Sequence, residues 1–326
     1  MIRDNYQRQH TYLRISLTDA CNLRCFYCMP EERYDFTPRE HLMQPDEIEA
    51  IAKAFVDLGV DKIRLTGGEP MLRKDFGDIL QRLSRLPVTL NLTTNATFLD
   101  QYIDPLQAAG VRTINISLDT LSPEKFRILT RRDKFGITLS NIRLAIRKGF
   151  RVKVNMVVMR ELNEDELLDF VAWTRDEPIE VRFIEFMPFA GNRWTSNQVF
   201  SLKEILAVIE TRYTVFPAEG SPHDTAKKYS LPGHAGSFSV ISTMSAPFCA
   251  GCNRMRLTAD GRMKSCLFSK DESNLLAALR MGLPIEPLIR GNVLGKAEKL
   301  GGQFDTNFVN LKNEDITNRS MIRIGG

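Results

Sequence analysis

The sequence predicts an α/β protein: an incompletely closed barrel of six strand-helix units followed by an α+β extension. Three observations carry the prediction. Six short β-like runs alternate with helical patterns between Tyr12 and Met187; one parity along those runs is apolar and the other polar; and all six cysteines fall into two triplets.

The runs lie at about 12–18, 62–66, 88–93, 112–119, 151–158 and 180–187, with helices expected at about 46–58, 75–85, 99–109, 137–149 and 164–175. Regular alternation of this kind predicts parallel strands joined by crossover helices. Pro45-Asp46-Glu47 opens the first helix, and Gly59, Gly110 and Gly149 close three of them.

Alternate residues of a strand face opposite sides of its sheet, so parity assigns each run an inside and an outside. One parity holds Ile15, Leu17, Ile63, Leu65, Leu90, Leu92, Ile114, Ile116, Val152 and Val154; the other holds Arg14, Ser16, Arg64, Thr66, Asn91, Thr93, Asn115, Ser117, Asp119, Lys153 and Asn155. On the sixth run the polar parity is assigned Glu185 and Met187. Eight-stranded barrels fill their centres with branched apolar side chains, so a polar inner face points to a wider barrel with a wet lumen. An open sheet with one solvated face is the alternative, and crossover helices covering both faces of a parallel sheet argue against it. Arg14, Arg64 and Lys153, with the hydroxyls of Thr93 and Ser117, then line a pocket suited to a phosphorylated polar ligand.

Cys21, Cys25 and Cys28 stand in a CxxxCxxC loop directly after the first run. Three thiolates are one fewer than a cubic four-iron cluster needs, which leaves one iron free to bind a small molecule and pass it an electron. A structural zinc site wants four ligands, and the nearest histidines, His10 and His41, lie outside knuckle spacing. A disulfide leaves one cysteine over. Thr66-Gly67-Gly68-Glu69-Pro70 follows the second run, where ligand loops of parallel folds lie. It is neither a dinucleotide fingerprint nor a phosphate-binding loop of nucleotide hydrolases.

After Pro188 the pattern turns irregular, with a helix expected at 201–211 and short strands near 238–243 and 254–258. Cys249, Cys252 and Cys266 follow, again three, with Asp260-Gly261 between them as a hairpin turn. Zinc completed by His234 or His223 remains the alternative for this triplet. Arg254 and Arg256 alternate on the strand after the knuckle and face an anion or solvent. Residues 272–300 read as two closing helices, and the chain ends in Gly325-Gly326, a pair that ordinarily frays but that, lacking side chains, can also slide into a narrow site.

Composition sets the limits. A chain of 326 residues, 43% hydrophobic and 26% charged with a net charge of +4, is that of a globular protein that accepts an anionic ligand without a nucleic-acid tail. The amino terminus has no signal-peptide core and no stretch matches a membrane helix, so the expectation is a cytoplasmic protein with reduced thiols.

CxxxCxxC, Gly-Gly-Glu-Pro and six strand-helix units together resemble the radical S-adenosylmethionine (SAM) superfamily. The second triplet, the Asn253-Arg254-Met255-Arg256 strand and the Gly-Gly terminus make the whole chain similar to its GTP 3′,8-cyclase family. That resemblance implies a partial (β/α)6 barrel over 1–188 and an extension over 189–326 that carries a second [4Fe-4S] cluster. Cys21, Cys25 and Cys28 would hold the first cluster, with Tyr27, Gly68, Ser117 and Met187 contacting SAM. Cys249, Cys252 and Cys266 would hold the second, and Arg14, Arg64, Thr93, Lys153, Arg254, Met255 and Arg256 would position GTP. The reaction implied is cyclisation of GTP to (8S)-3′,8-cyclo-7,8-dihydroguanosine 5′-triphosphate, the first step towards molybdopterin, with a 5′-deoxyadenosyl radical taking the ribose 3′ hydrogen and C3′ attacking guanine C8. Gly325 and Gly326 would assist turnover. The partners implied are an electron donor such as flavodoxin or ferredoxin, a downstream cyclic pyranopterin monophosphate synthase and a second copy of the chain; a peptide or RNA is the alternative substrate. Ala96 stands where the resemblance leads one to expect glycine.

Overall fold

The computed structural model describes residues 1–31 and 33–325, so Gly326 lies outside the described residues. Twelve strands form one sheet: β1 Tyr12–Ser16, β2 Lys62–Thr66, β3 Thr89–Thr94, β4 Thr113–Ser117, β5 Arg151–Val158, β6 Glu180–Glu185, β7 Phe216–Pro217, β8 Lys227–Ser230, β9 Ser237–Ile241, β10 Arg254–Leu257, β11 Arg262–Lys264 and β12 Ser273–Asn274. The helices are α1 Pro45–Asp57, α2 Phe76–Leu83, α3 Leu99–Ala108, α4 Pro123–Thr130, α5 Phe135–Arg147, α6 Leu167–Trp173, α7 Leu202–Glu210, α8 Leu275–Arg280, α9 Glu286–Leu294 and α10 Met321–Ile324. No helix among the described residues is long and apolar enough to cross a membrane.

The strand order is β12-β11-β10-β1-β2-β3-β4-β5-β6-β9-β8-β7. β1 to β6 are parallel neighbours, as the alternation of runs predicts. The extension does not stand apart from them. β10 pairs parallel with β1 and β9 pairs parallel with β6, so the later chain widens the parallel run at both edges. β5 shows the parity most cleanly: Val152, Val154, Met156 and Val158 are buried, while the residues between them are not. The apolar parity packs under the crossover helices, where Leu13, Ile15, Ile63, Leu92, Ile114 and Val154 meet Phe55 and Phe76 in one core. That burial is the main stabilisation, at roughly 1.5–3 kcal/mol for each large apolar side chain.

Two of the differences from the sequence expectation fall within the first six strand-helix units. Ser122-Pro123 begins an unpredicted helix, α4; Ser122 caps it by accepting from the Lys125 amide, and Pro123 occupies the first turn. On the sixth strand the polar parity is shifted by one residue. The pairs Lys153↔Glu180 and Asn155↔Arg182 put Glu180, Arg182 and Ile184 in register with the lumen-facing residues of β5. Glu185 therefore lies on the opposite face, contrary to the expectation. Its buried carboxylate accepts from the amides of Leu202 (2.8 Å), Met244 (2.7 Å) and Ser245 (2.9 Å), so its charge serves the amino end of α7. A strand carrying acidic residues at both 180 and 185 offers two parities, and only pairing with β5 chooses between them.

A candidate active site between two cysteine triplets

The polar parity encloses a cavity of about 730 Å³ whose lining comes from all eight parallel strands, within the size range of small-molecule sites. All six cysteines line it. The Cys21 loop follows β1, at the carboxyl ends of the parallel strands, where ligand loops gather. Cys249 and Cys252 precede β10, at the amino end, and Cys266 follows β11, which runs antiparallel back to that end. The sequence thus supplies two triplets, and the topology sets them at opposite ends of one lumen.

At the first end, Gly67 and Gly68 are required by close approach: a Cβ on Gly67 would stand 2.5 Å from the Thr18 carbonyl oxygen, and one on Gly68 2.4 Å from that of Ala20. The loop is tied down by the Gly68 amide donating to the Thr18 carbonyl (2.7 Å) and the Glu69 amide to that of Ala20 (2.8 Å). Glu69 is fully buried and accepts from the Asn95 amide (2.7 Å) and the Thr94 hydroxyl (2.9 Å). Burial pushes its carboxyl up to about 7 against those hydrogen bonds. Asn95 Nδ2 points at Cys21 Sγ (3.7 Å), and the Tyr27 hydroxyl donates to Asp119 Oδ2 (2.5 Å), which burial raises to about 6. The thiols respond to that setting: burial and then Glu69 push Cys21 up to about 11, while burial with the neighbouring sulfurs and Asp119 pushes Cys25 and Cys28 well up. Ala96 takes φ +63°, a left-handed conformation that explains the expected glycine.

Between the ends runs a cationic wall fixed by register. Arg256, Arg14 and Arg64 form one cross-strand row; Arg254, Tyr12 and Lys62 form the next. Burial, then Arg256, lowers Arg14 well below the usual guanidinium range, and burial with Arg254 brings Arg256 down to about 10. Burial opposes ionisation of Tyr12, but Arg64 and Arg14 outweigh it and bring the phenol to about 7, with the hydroxyl 2.5 Å from Arg64 Nε. Guanidiniums stacked this closely stabilise an added anion and disfavour one another without it. Across the lumen, Lys153 pairs with Glu180 (2.5 Å), which also meets Arg182 (3.2 Å). Asn91, Asn115 and Asn155 each turn an amide atom without a hydrogen-bond partner into this space.

At the second end the field reverses. Burial disfavours the Cys252 thiolate, yet Lys296 and Arg254 bring the thiol down to about 7; burial raises Cys249, against a Leu300 amide that donates to its sulfur (3.4 Å). The carboxyl-terminal tail closes the side of the cavity: Met321 and Ile322 line it, and the Gly325 carbonyl accepts from Arg256 Nη1 (2.8 Å). A Cβ on Gly325 would stand 2.5 Å from that of Ser16.

Of the residues singled out in the sequence, the six cysteines, Tyr27, Gly68, Ser117, Met187, Arg14, Arg64, Thr93, Lys153, Arg254 and Arg256 all line the cavity. Met255 does not: its side chain is fully buried in the apolar core opposite Leu13, because it holds the other parity of β10. Tyr12, Asp119 and Arg182 were missed as site residues. Tyr12 was legible, since it shares parity with Arg14; Arg182 was hidden by the misassigned sixth strand.

The donor sets fit iron-sulfur groups by position and chemistry: clustered thiols facing one cavity, with N–H donors aimed at sulfur. Among the described residues no three His, Cys, Asp or Glu side chains are grouped to hold a single metal ion.

Residues 15–174 match the Radical SAM superfamily, the class that this fold and the Cys21 loop define, and residues 179–299 match Molybdenum Cofactor Synthesis C. A Mus musculus protein named molybdenum cofactor biosynthesis protein 1 is 48% identical over 99% of this chain and 51% of its own length. GTP 3′,8-cyclase, mitochondrial, of Arabidopsis thaliana is 46% identical over 100% of this chain and 84% of that protein, and GTP 3′,8-cyclase of Alkaliphilus oremlandii is 38% identical over 100% of both. The chain belongs to this family of radical SAM proteins. It spans about half the length of the animal relatives it matches. Among solved structures, Streptococcus suis SuiB bound to S-adenosylmethionine matches with a TM-score of 0.61 at 16% identity, over 97% of this chain and 77% of that one, a likeness of fold.

Proposed function

We propose that this chain is an enzyme that cyclises GTP to (8S)-3′,8-cyclo-7,8-dihydroguanosine 5′-triphosphate, joining ribose C3′ to guanine C8 as the first step of molybdenum cofactor biosynthesis. The observation that carries the reading is the pairing of two three-cysteine sites at opposite ends of one cavity with arginine rows between them. Family membership supports it, since plant and bacterial relatives bear the name GTP 3′,8-cyclase.

In this reading the parallel strands form a partial barrel. Residues 1–188 supply the radical SAM part, and 189–326 add the strands and cysteines that complete the site. Cys21, Cys25 and Cys28 hold one [4Fe-4S] cluster, and Cys249, Cys252 and Cys266 hold a second. When bound, the first cluster and SAM would supply the 5′-deoxyadenosyl radical that takes the ribose 3′ hydrogen, and once C3′ has bonded to C8 one further electron from the donor and one proton would complete the 7,8-dihydro product. The chain binds and orients the reactants. Gly68 leaves room for SAM beside the loop, Tyr27 is fixed by Asp119, and Ser117 and Met187 border the same space. Arg14, Arg64, Arg254 and Arg256, with Lys153 and Arg182 opposite, neutralise the triphosphate and set the ribose between the two ends. Thr93 and the free amide atoms of Asn115 and Asn155 offer hydrogen bonds to the sugar and base. Gly325 keeps the tail narrow enough to lie beside Ser16 and Thr66, and Gly325 and Gly326 assist turnover. A small one-electron donor such as flavodoxin or ferredoxin, a downstream synthase, a homodimer and a cytoplasmic location complete the proposal.

The test is anaerobic incubation of reconstituted protein with SAM, dithionite and GTP, followed by mass spectrometry. Formation of both 5′-deoxyadenosine and a cyclised guanosine triphosphate is expected. Deoxyadenosine without a GTP product would leave the radical chemistry and overturn the substrate.

A further inference from the structure

Lys296 is 4% exposed and, among the described residues, no carboxylate pairs with it. Its ammonium instead donates to Cys252 Sγ (3.5 Å) and to the Arg254 carbonyl (3.0 Å). A buried ammonium is costly without an anion beside it, and the acceptor within reach that can carry negative charge is this sulfur. The position is braced rather than incidental. The Lys296 amide donates to the Val293 carbonyl (3.0 Å) at the end of α9, and the following carbonyls of Ala297 (2.8 Å) and Glu298 (2.5 Å) accept from Arg8, whose guanidinium also reaches the Cys249 carbonyl (2.9 Å). The amino-terminal segment, folded back by an antiparallel bridge between Arg3 and Gln9, thus clamps the Lys296 segment onto the Cys249 loop.

We infer that Lys296 is a charge-positioning residue of the second cysteine site: its ammonium is the built-in counter-ion of Cys252 and favours the reduced form of the anionic iron-sulfur group held there. The inference rests on the auxiliary-cluster reading above and adds to it the residue that sets that cluster's potential. The physical cause is direct. Reduction adds one electron to a group whose ligands are already negative, and hydrogen bonds and charge at the ligand sulfurs set how favourable that is.

The experiment uses full-length protein carrying Cys21→Ser, Cys25→Ser and Cys28→Ser, so that only the second site holds a cluster, reconstituted anaerobically and followed by EPR-monitored redox titration. Lys296→Met is expected to keep its iron and lower the ratio of reduced to oxidised cluster at least tenfold at fixed poise, about 59 mV for one electron. Lys296→Arg should recover most of the shift, because it restores the charge. Loss of iron in the Met variant alone, with the Arg variant loaded, also supports the inference. An unchanged midpoint in Lys296→Met overturns it, and so does an equal shift or equal iron loss in Met and Arg, which would make the role one of packing. A parent background without any iron-sulfur signal overturns the auxiliary-cluster reading itself, and the inference with it.

Discussion

Compare the two ends of the cavity. Around Cys21, Cys25 and Cys28 burial acts together with Glu69 and Asp119, and every thiol with a resolved shift is pushed up. Around Cys252, burial acts against Lys296 and Arg254, and the thiol comes down to about 7. The first end resists added negative charge, whereas the second accepts it at Cys252, even though burial still raises Cys249. In the proposed reading this contrast suits two tasks: a cluster in a buried, acidic setting is a strong reductant, whereas one in a cationic setting holds an electron-rich ligand without giving its electron away. The cross-strand row of Arg256, Arg14 and Arg64 lies between them, so in that reading substrate charge would be neutralised away from the reducing end.

The sharpest way to break the comparison is to disable each end in turn. Cys25→Ala should abolish SAM cleavage, a loss on the order of a thousandfold or more, together with about half of about eight irons. Cys252→Ala should leave deoxyadenosine formation in place and remove the cyclised product. Equal loss of both activities in both variants would mean that the ends do not divide the work.

A second effect belongs to the cationic end. His10 is buried beside Lys296, and burial first, then that lysine, lowers it to about 4 despite Asp4 (3.0 Å). A base with a depressed folded pKa contributes stability that is fully present above its ordinary value of 6.5 and is lost as pH falls towards 4. Between those limits the apoprotein should lose about 3 kcal/mol to this group. Urea unfolding across that pH range should show a shallower slope in His10→Gln; an identical slope would remove the histidine from the account.

Arg254→Ala and Arg256→Ala test the wall between the ends. Each should weaken GTP binding by about 1.5–3 kcal/mol in equilibrium titration, and affect SAM cleavage much less. Arg256→Ala should have a further consequence, since it frees the Gly325 carbonyl. The tail should become more susceptible to carboxypeptidase in that variant than in Arg254→Ala. The smallest effect is expected at Ala96. Glycine relieves a left-handed conformation worth about 1–2 kcal/mol but adds chain entropy and removes a buried methyl, so thermal stability should change by less than about 1 kcal/mol.

How much of this was legible in the chain follows from the range of each signal. Parity and spacing are local, so β1 to β5, their apolar and polar faces, the glycine stops and both triplets could be read directly. The arginines and Lys153 were found for the same reason: each shares a parity with its neighbours. Glu185 shows the limit. A strand with two polar parities is assigned a face by its neighbour across the sheet, and that neighbour is remote in sequence. Arg182 was lost through this ambiguity, whereas Met255 came from the resemblance although its parity, opposite to Arg254 and Arg256, was local.

The sequence by itself therefore determined the ligand types, their grouping in threes and the alternation that makes a parallel sheet, because thiols at short spacing and strand periodicity need no partner elsewhere in the chain. Tertiary structure decided the rest. Pairing of β10 with β1 brings residues 242 positions apart onto one wall, and pairing of β9 with β6 closes the other edge; only that long-range register sets the triplets at opposite ends of a single cavity and aligns Arg14 with Arg256, while packing of the segment after α9 lays Lys296 against Cys252.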